Sequence, residues 1–182
     1  LSNSRAQTLE FDMFLAGKKI GSIVTDKKVK GDIEVYTMTS TATSTILWKT
    51  ISTYTTYHVV FKSGKLQESY FEHKENGKIE KFCKVKENAG GYTVHHSKTG
   101  KFEVHNMADF CLLKMYYNEP SDGVSLFNEG WGEFVKVKKS GANQYEFKTP
   151  DGSRYIYRFQ QGKMTDAEFH TSIVTVRMKP KV

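Results

Sequence analysis

Short glycine-centred turns punctuate this chain at close intervals, and the runs between them are rich in Thr, Tyr, Val and Phe. The punctuation includes Lys30-Gly31-Asp32, Ser63-Gly64-Lys65, Asn76-Gly77-Lys78, Asn88-Ala89-Gly90-Gly91, Thr99-Gly100-Lys101, Pro150-Asp151-Gly152 and Gln161-Gly162-Lys163. Asn76-Gly77 is typical: both residue types tolerate positive φ, so the pair reverses the chain in two residues. Short strands at regular spacing predict an antiparallel sheet folded on itself. About a dozen strands cannot stay flat, because twist accumulates. The expected fold is therefore all-β: a single antiparallel sheet curled into an open or closed barrel.

The period predicts individual elements. Thr8–Leu15 and Lys18–Lys28 should form a hairpin turning at Ala16-Gly17. Residues 33–62 contain neither Gly nor Pro and are too long for one strand, so two long strands should reverse near Ile46-Leu47-Trp48-Lys49. Along the second, Ile51, Thr53, Thr55, Tyr57, Val59 and Phe61 share one face. Leu66–Glu75 and Ile79–Glu87 form the next hairpin, followed by Tyr92–His96 and Phe102–His105. Later strands are expected at Val124–Phe127, Glu133–Lys139, Gln144–Lys148, Arg154–Gln160, Met164–His170 and Ile173–Met178. In Arg154–Gln160, Tyr155, Tyr157 and Phe159 alternate with Arg154, Ile156 and Arg158, the pattern of a sheet with a core on one side and water on the other.

One segment breaks the period. Ala108–Tyr117 is apolar around more than one face, Asp109 could cap it, and Pro120 would stop it. It predicts one short helix of about two turns near the barrel mouth. Phe110, Leu113 and Tyr117, spaced i, i+3, i+7, would pack on the concave side of the sheet.

The 182 residues are most simply one domain, 1–182, with 1–6 as a residual N-terminal segment before the strand period begins. Small residues in that segment hint at a removed signal peptide. The net charge is +7, but Lys dominates and sits beside turns, an ordinary solubility device. Nucleic-acid readers favour Arg forks, so no nucleic-acid partner is expected. No apolar stretch approaches the ~18 residues of a membrane span.

Catalytic motifs are absent: there is no nucleophile elbow, phosphate loop or zinc-helix motif. No cofactor, metal or enzymatic activity is expected. The adjacent His95 and His96 should point to opposite faces of a strand, and His96 could meet His105 across a hairpin. Glu119, Asp122, Glu129 and Glu133 gather near Trp131, where two convergent carboxylates would suit a hydrolase; turn and strand-end carboxylates are the plainer interpretation. Cys83 and Cys111 are either two buried small hydrophobes or, in an exported protein, a bridge between sheet and helix.

The aromatic residues carry the strongest functional signal. Phe110, Tyr116 and Tyr117 on the helical segment, with Tyr57, Tyr70, Tyr155 and Tyr157 on strands, could line a cavity for an apolar small molecule or lipid. Alternatively the segment plugs the concave face and those rings are simply core. The reversal at Ile46-Leu47-Trp48 also reads two ways. An exposed apolar tip would meet a membrane or a partner; a tip folded over the barrel end would complete the core, as apolar residues usually do.

The chain resembles a family of small exported bacterial domains of unknown function, common in the Bacteroides group. The resemblance runs through Leu9-Glu10-Phe11-Asp12 and Gly17-Lys18-Lys19-Ile20-Gly21, then Val59 to Phe71, Tyr116-Tyr117-Asn118-Glu119-Pro120 and Ser125-Leu126-Phe127-Asn128-Glu129. It continues at Pro150-Asp151-Gly152 and from Tyr155 to Met164. It implies export to the periplasm or cell envelope and an open curved sheet similar to lipoprotein-carrier half-barrels, with a helix near the mouth. It supplies no catalytic residues. Together these expectations describe a noncatalytic binding or carrier module for an apolar or amphipathic ligand, with a ligand-free structural protein of the envelope as the alternative.

Overall fold

A computed structural model describes residues 5–46 and 48–181. Its turns do what their residues require. Asn76 and Gly77 both take left-handed angles, φ 48° and 80°, and join β5 (Lys65–Glu75) to β6 (Lys78–Asn88) in the tight turn that favours this pair. Ala16-Gly17 likewise joins β1 (Arg5–Leu15) to β2 (Lys18–Lys30). The remaining elements of the first half are β3 (Ile33–Ile46), β4 (Lys49–Lys62), β7 (Gly91–His96) and β8 (Gly100–Val104). The second half holds β9 (Ser125–Asn128), β10 (Glu133–Lys136), β11 (Lys138–Gly141), β12 (Gln144–Lys148), β13 (Arg154–Gln160), β14 (Lys163–His170) and β15 (Thr175–Pro180).

Thirteen strands make one antiparallel sheet in the order β11-β12-β13-β14-β15-β1-β2-β3-β4-β5-β6-β7-β8. The last strand returns to the first, with Phe11 opposite Pro180 and Leu15 opposite Val176. The sheet is open, because β8 and β11 are its edges; β9 and β10 pair separately. Inner-face residues from both ends of the sheet, such as Val94, Val59, Phe11 and Phe147, belong to one core. The sheet therefore wraps around a common interior.

That interior holds the segment between β8 and β11. Leu113, Met115, Cys111, Leu126 and Phe127 are fully buried in it. The expected helix over Ala108–Tyr117 is not formed: only Leu113–Tyr116 coils, as a single 3-10 turn. The segment is apolar on every side because sheet surrounds it, and a buried irregular chain gives the same pattern as a buried helix. Asp109 does not cap the turn, whose start has no side-chain cap of that kind. The expected packing is nonetheless observed, with Leu113 buried and Phe110 and Tyr117 half-buried against the core.

Two further expectations are corrected. Glu133–Lys139 is not one strand but β10 and β11, broken at Val137, whose N–H donates to Val124 and whose carbonyl accepts from Gly123. The β3–β4 reversal lies where predicted, but its tip does not fold over the barrel end: Trp48 is 95% exposed. Leu47 lies outside the described residues. The β2–β3 pairing stops at Gly21 opposite Ala42, and the β4–β5 pairing stops at Thr53 opposite Glu75. Beyond those rungs Ser52 is still tied to the β5–β6 turn, its N–H donating to Asn76 Oδ1 and its carbonyl accepting from the Asn76 N–H. From Ser44–Ile51 to Ile46–Lys49, β3 and β4 pair only with each other among the described residues. They form an arm projecting about 10 Å at ~3.3 Å per residue.

Candidate functional site

Every hairpin turn adjoining β1's C-terminal end, at 16–17, 47–48, 76–77, 97–99, 149–153 and 171–174, falls at one end of the sheet, because the strands alternate in direction. A cavity of about 470 Å3 opens at this end, against the buried segment. Its walls are Met13, Ile23, Met38, Tyr57, Phe71, Leu112, Tyr116, Tyr155, Tyr157 and Phe169. Ser40, Thr53, Thr55, His73, Glu75, Asp151, Ser153 and Thr171 add polar atoms. Tyr116 also borders a second cavity, of about 650 Å3, with Leu9, Phe11, Tyr117 and Met164. The latter residues lie toward the opposite strand ends, so the buried segment divides the trough in two.

Of the seven aromatic residues expected at a ligand site, Tyr57, Tyr116, Tyr155 and Tyr157 line the mouth cavity. Tyr117 lies in the second cavity, with its hydroxyl 3.1 Å from Thr25 Oγ1 and its ring tilted against Tyr36. Phe110 packs half-buried at the core margin and lines neither cavity. Tyr70 is on the opposite face of β5: it borders an outer groove with His58, Glu68 and Lys84, and donates to Glu72 at 2.6 Å. Tyr57 and Phe71 are opposed across β4 and β5, as are His58 and Tyr70. Period-two alternation sends one pair in and the other out. Glu68 and Glu72, sharing Tyr70's parity, were the sequence signal for the outward side.

Sequence reasoning missed Met13, Ile23, Met38, Phe71 and Phe169 as walls. Alternation marked most of these as inward, but it could not tell which inward residues face filled core and which face space. Leu112 and the polar rim depend on how the irregular segment is threaded, which leaves no periodic trace.

The phenols are poised as donors. Burial, followed by neighbouring Tyr155 and Glu129, pushes the Tyr57 hydroxyl well above its ordinary pKa; burial and adjacent phenols do the same to Tyr157. Burial pushes Tyr155 up to about 12. All three are protonated near neutral pH. At the rim, His73 Nδ1 lies 2.8 Å from Thr55 Oγ1. Burial alone would raise the Asp151 carboxyl, but the Thr149 hydroxyl, the Ser153 N–H and nearby Lys81 hold it below the usual range. The mouth thus has an apolar wall, phenolic donors and a rim with carboxylates.

The candidate acidic cluster does not converge. Glu119 accepts from Tyr145 Oη at 2.9 Å and Asp122 from the Lys139 N–H at 2.9 Å. Glu129 is sealed in the core, accepting the Leu112 and Leu113 N–H groups at 2.9 and 3.1 Å. It caps the 3-10 turn from a distant strand end. None of the four, Glu133 included, lines the mouth cavity. Among the described residues no group of three or more His, Cys, Asp or Glu is placed to hold a metal ion.

His96 is buried, its Nδ1 accepting from the Lys98 and Thr99 N–H groups, while Nε2 has no partner among the described residues. Its ring stacks on Trp131 at 5.3 Å, and Lys81 Nζ lies 3.3 Å from the Trp131 ring centroid. Cys83 and Cys111 are buried free thiols, so no bridge ties the segment to the sheet. Burial pushes Cys83 up to about 12 and raises Cys111, where Glu129 adds to the effect. Neither is a thiolate nucleophile at neutral pH.

The fold has a known counterpart. A β-barrel-like protein of the DUF1849 domain of unknown function from Brucella abortus superposes with a TM-score of 0.65 at 12% identity, covering 96% of this chain and 94% of that one. A DUF1089 family protein from Pseudomonas aeruginosa matches with a TM-score of 0.40 at 10% identity, covering 83% and 90%. No curated protein matches the chain in sequence. A family model described as a domain of unknown function, DUF6134, matches residues 11–181.

Proposed function

The chain belongs to the DUF6134 family, and from that premise and the mouth cavity we propose that it is a noncatalytic binding or carrier module for an apolar or amphipathic ligand, working in the periplasm or cell envelope. The observation that supports this reading is the cavity of about 470 Å3 beside Tyr57, Tyr116, Tyr155 and Tyr157. It lies within the ~300–1,000 Å3 of small-molecule sites, where a plug that filled the trough would leave no such space. The wall would take an alkyl or ring system. The protonated phenols would donate to ester, carbonyl or hydroxyl oxygens. Glu75 and Asp151 at the opening disfavour an anionic head, so the ligand class is an amphiphile with a neutral or cationic polar end. The envelope setting comes from the resemblance to exported domains with lipoprotein-carrier-like sheets.

Native mass spectrometry of protein purified from its own host tests this. A copurifying amphiphile is expected, and it should be lost from Thr53→Phe, which puts a ring into the opening. Protein that carries no adduct and takes up no neutral or cationic amphiphile when challenged in vitro would overturn the carrier reading.

A further inference from the structure

We propose that the β3–β4 arm and the rim around it form a docking surface for an anionic lipid bilayer. One face of the arm is hydroxylic: Thr43 and Ser52 approach to 3.2 Å, and Thr45 and Thr50 to 3.1 Å, hydroxyl to hydroxyl, while Ile51 is half-buried on the other. At its tip Trp48 stands 95% exposed with φ 69°. The hairpin turn accounts for that backbone angle, as it does at Ala16 and Asn76, but a large apolar side chain exposed at the end of the arm is not explained by packing. The indole combines an apolar ring with an N–H donor, and both are satisfied together at the boundary between headgroups and acyl chains.

The surroundings select the bilayer's charge. Lys18, Lys49 and Lys78 begin the strands leaving three of the turns at this end, and Lys98 sits in a fourth; all are exposed. Glu75 and Asp151, the carboxylates at the cavity opening, are outnumbered by these four lysines. Ile173, 76% exposed in the β14–β15 turn, adds a second apolar contact. A rim whose lysines outnumber its carboxylates, set around an exposed indole, matches an anionic surface, toward which each Lys adds attraction. A second copy of the chain would instead bring the same lysines face to face. The proposal goes beyond the carrier reading and does not depend on it, since docking needs the rim and not an occupied cavity.

Trp131, the other tryptophan, is removed by Trp131→Phe so that emission reports Trp48 alone. Vesicles of phosphatidylcholine with phosphatidylglycerol should blue-shift that emission and co-sediment the protein; pure phosphatidylcholine should do so far less. Trp48→Asp in the wild-type background should abolish co-sedimentation, and Lys49→Glu should weaken it by roughly tenfold. Both should keep the wild-type melting temperature, because their rungs pair only within the arm. Unshifted emission, or co-sedimentation unchanged in Trp48→Asp, would overturn the proposal. So would a vesicle-free dimer in sedimentation velocity that Trp48→Asp dissociates. Thr53→Phe should still co-sediment, which separates a failure of docking from a failure of ligand binding.

Discussion

Two buried ionisable side chains carry opposite signs in the stability of this protein. His96 is 1% exposed, and burial, then Lys81 and Lys98, hold its pKa below the ordinary value. The unfolded chain therefore protonates first as pH falls. The contribution of His96 is whole above the unfolded pKa of ~6.5 and is lost as pH drops toward the lower folded value. His96→Phe should flatten that part of the profile, read as melting temperature from pH 7 to pH 5 against wild type. Glu129 behaves inversely: burial raises its carboxyl despite donors from Cys111 and the Leu113 and Leu112 N–H groups. Its contribution is present below the unfolded value of ~4.3 and is lost as pH rises through the folded one. Glu129→Gln replaces one acceptor oxygen with a donor facing a backbone N–H. It should lower stability by about 1–3 kcal/mol, seen as a reduced urea midpoint at unchanged slope.

At the scale of elements, the plug segment is the piece on which the trough depends. Leu113 is wholly buried, so Leu113→Ala should cost about 2–5 kcal/mol; an unchanged denaturant midpoint would contradict its placement. The hairpins were legible in the sequence because their turns need residue types that tolerate positive φ, and Asn76-Gly77 and Ala16-Gly17 supply them. The plug was legible as a break in period but not as a shape. Its backbone is held by contacts that no local pattern encodes: the Glu129 carboxylate on Leu112 and Leu113, and the Cys111–Phe127 bridge. The β10–β11 break was hidden for a related reason. Val135 and Val137 keep the alternation of one strand, while Val137 is bonded to Val124 and Gly123 instead of a sheet neighbour. Gly132 marks where β10's turn wedges under the sheet: at φ 69°, an added Cβ would sit 2.4 Å from Val94 Cγ1. Three of the seven candidate aromatics, Tyr57, Tyr155 and Tyr157, reached the mouth cavity because parity along a strand is readable; Tyr116 reached it from the plug's 3-10 turn. Tyr70 missed it by one residue of parity, and Phe110 and Tyr117 by the absence of the helix.

Across the whole molecule, the sheet is two meanders, β1 to β8 and β11 to β15, joined side by side at β15–β1. Deleting residues 175–181 would strip β1 and β14 of a partner and open two unpaired edges mid-sheet, where exposed strands invite association. Loss of a cooperative near-ultraviolet melting transition and a rise in light scattering are expected. The outer edges are better guarded, with Lys101 on β8 and Lys138 and Lys139 on β11. The same seam bears on how the protein comes into being. A chain that emerges N-terminus first can lay down β1 to β8 strand by strand, each on the one before. β1 waits with one side bare until β15 is released and can reach back to it. A chain cut short or stalled before β15 would be marked by its own open seam.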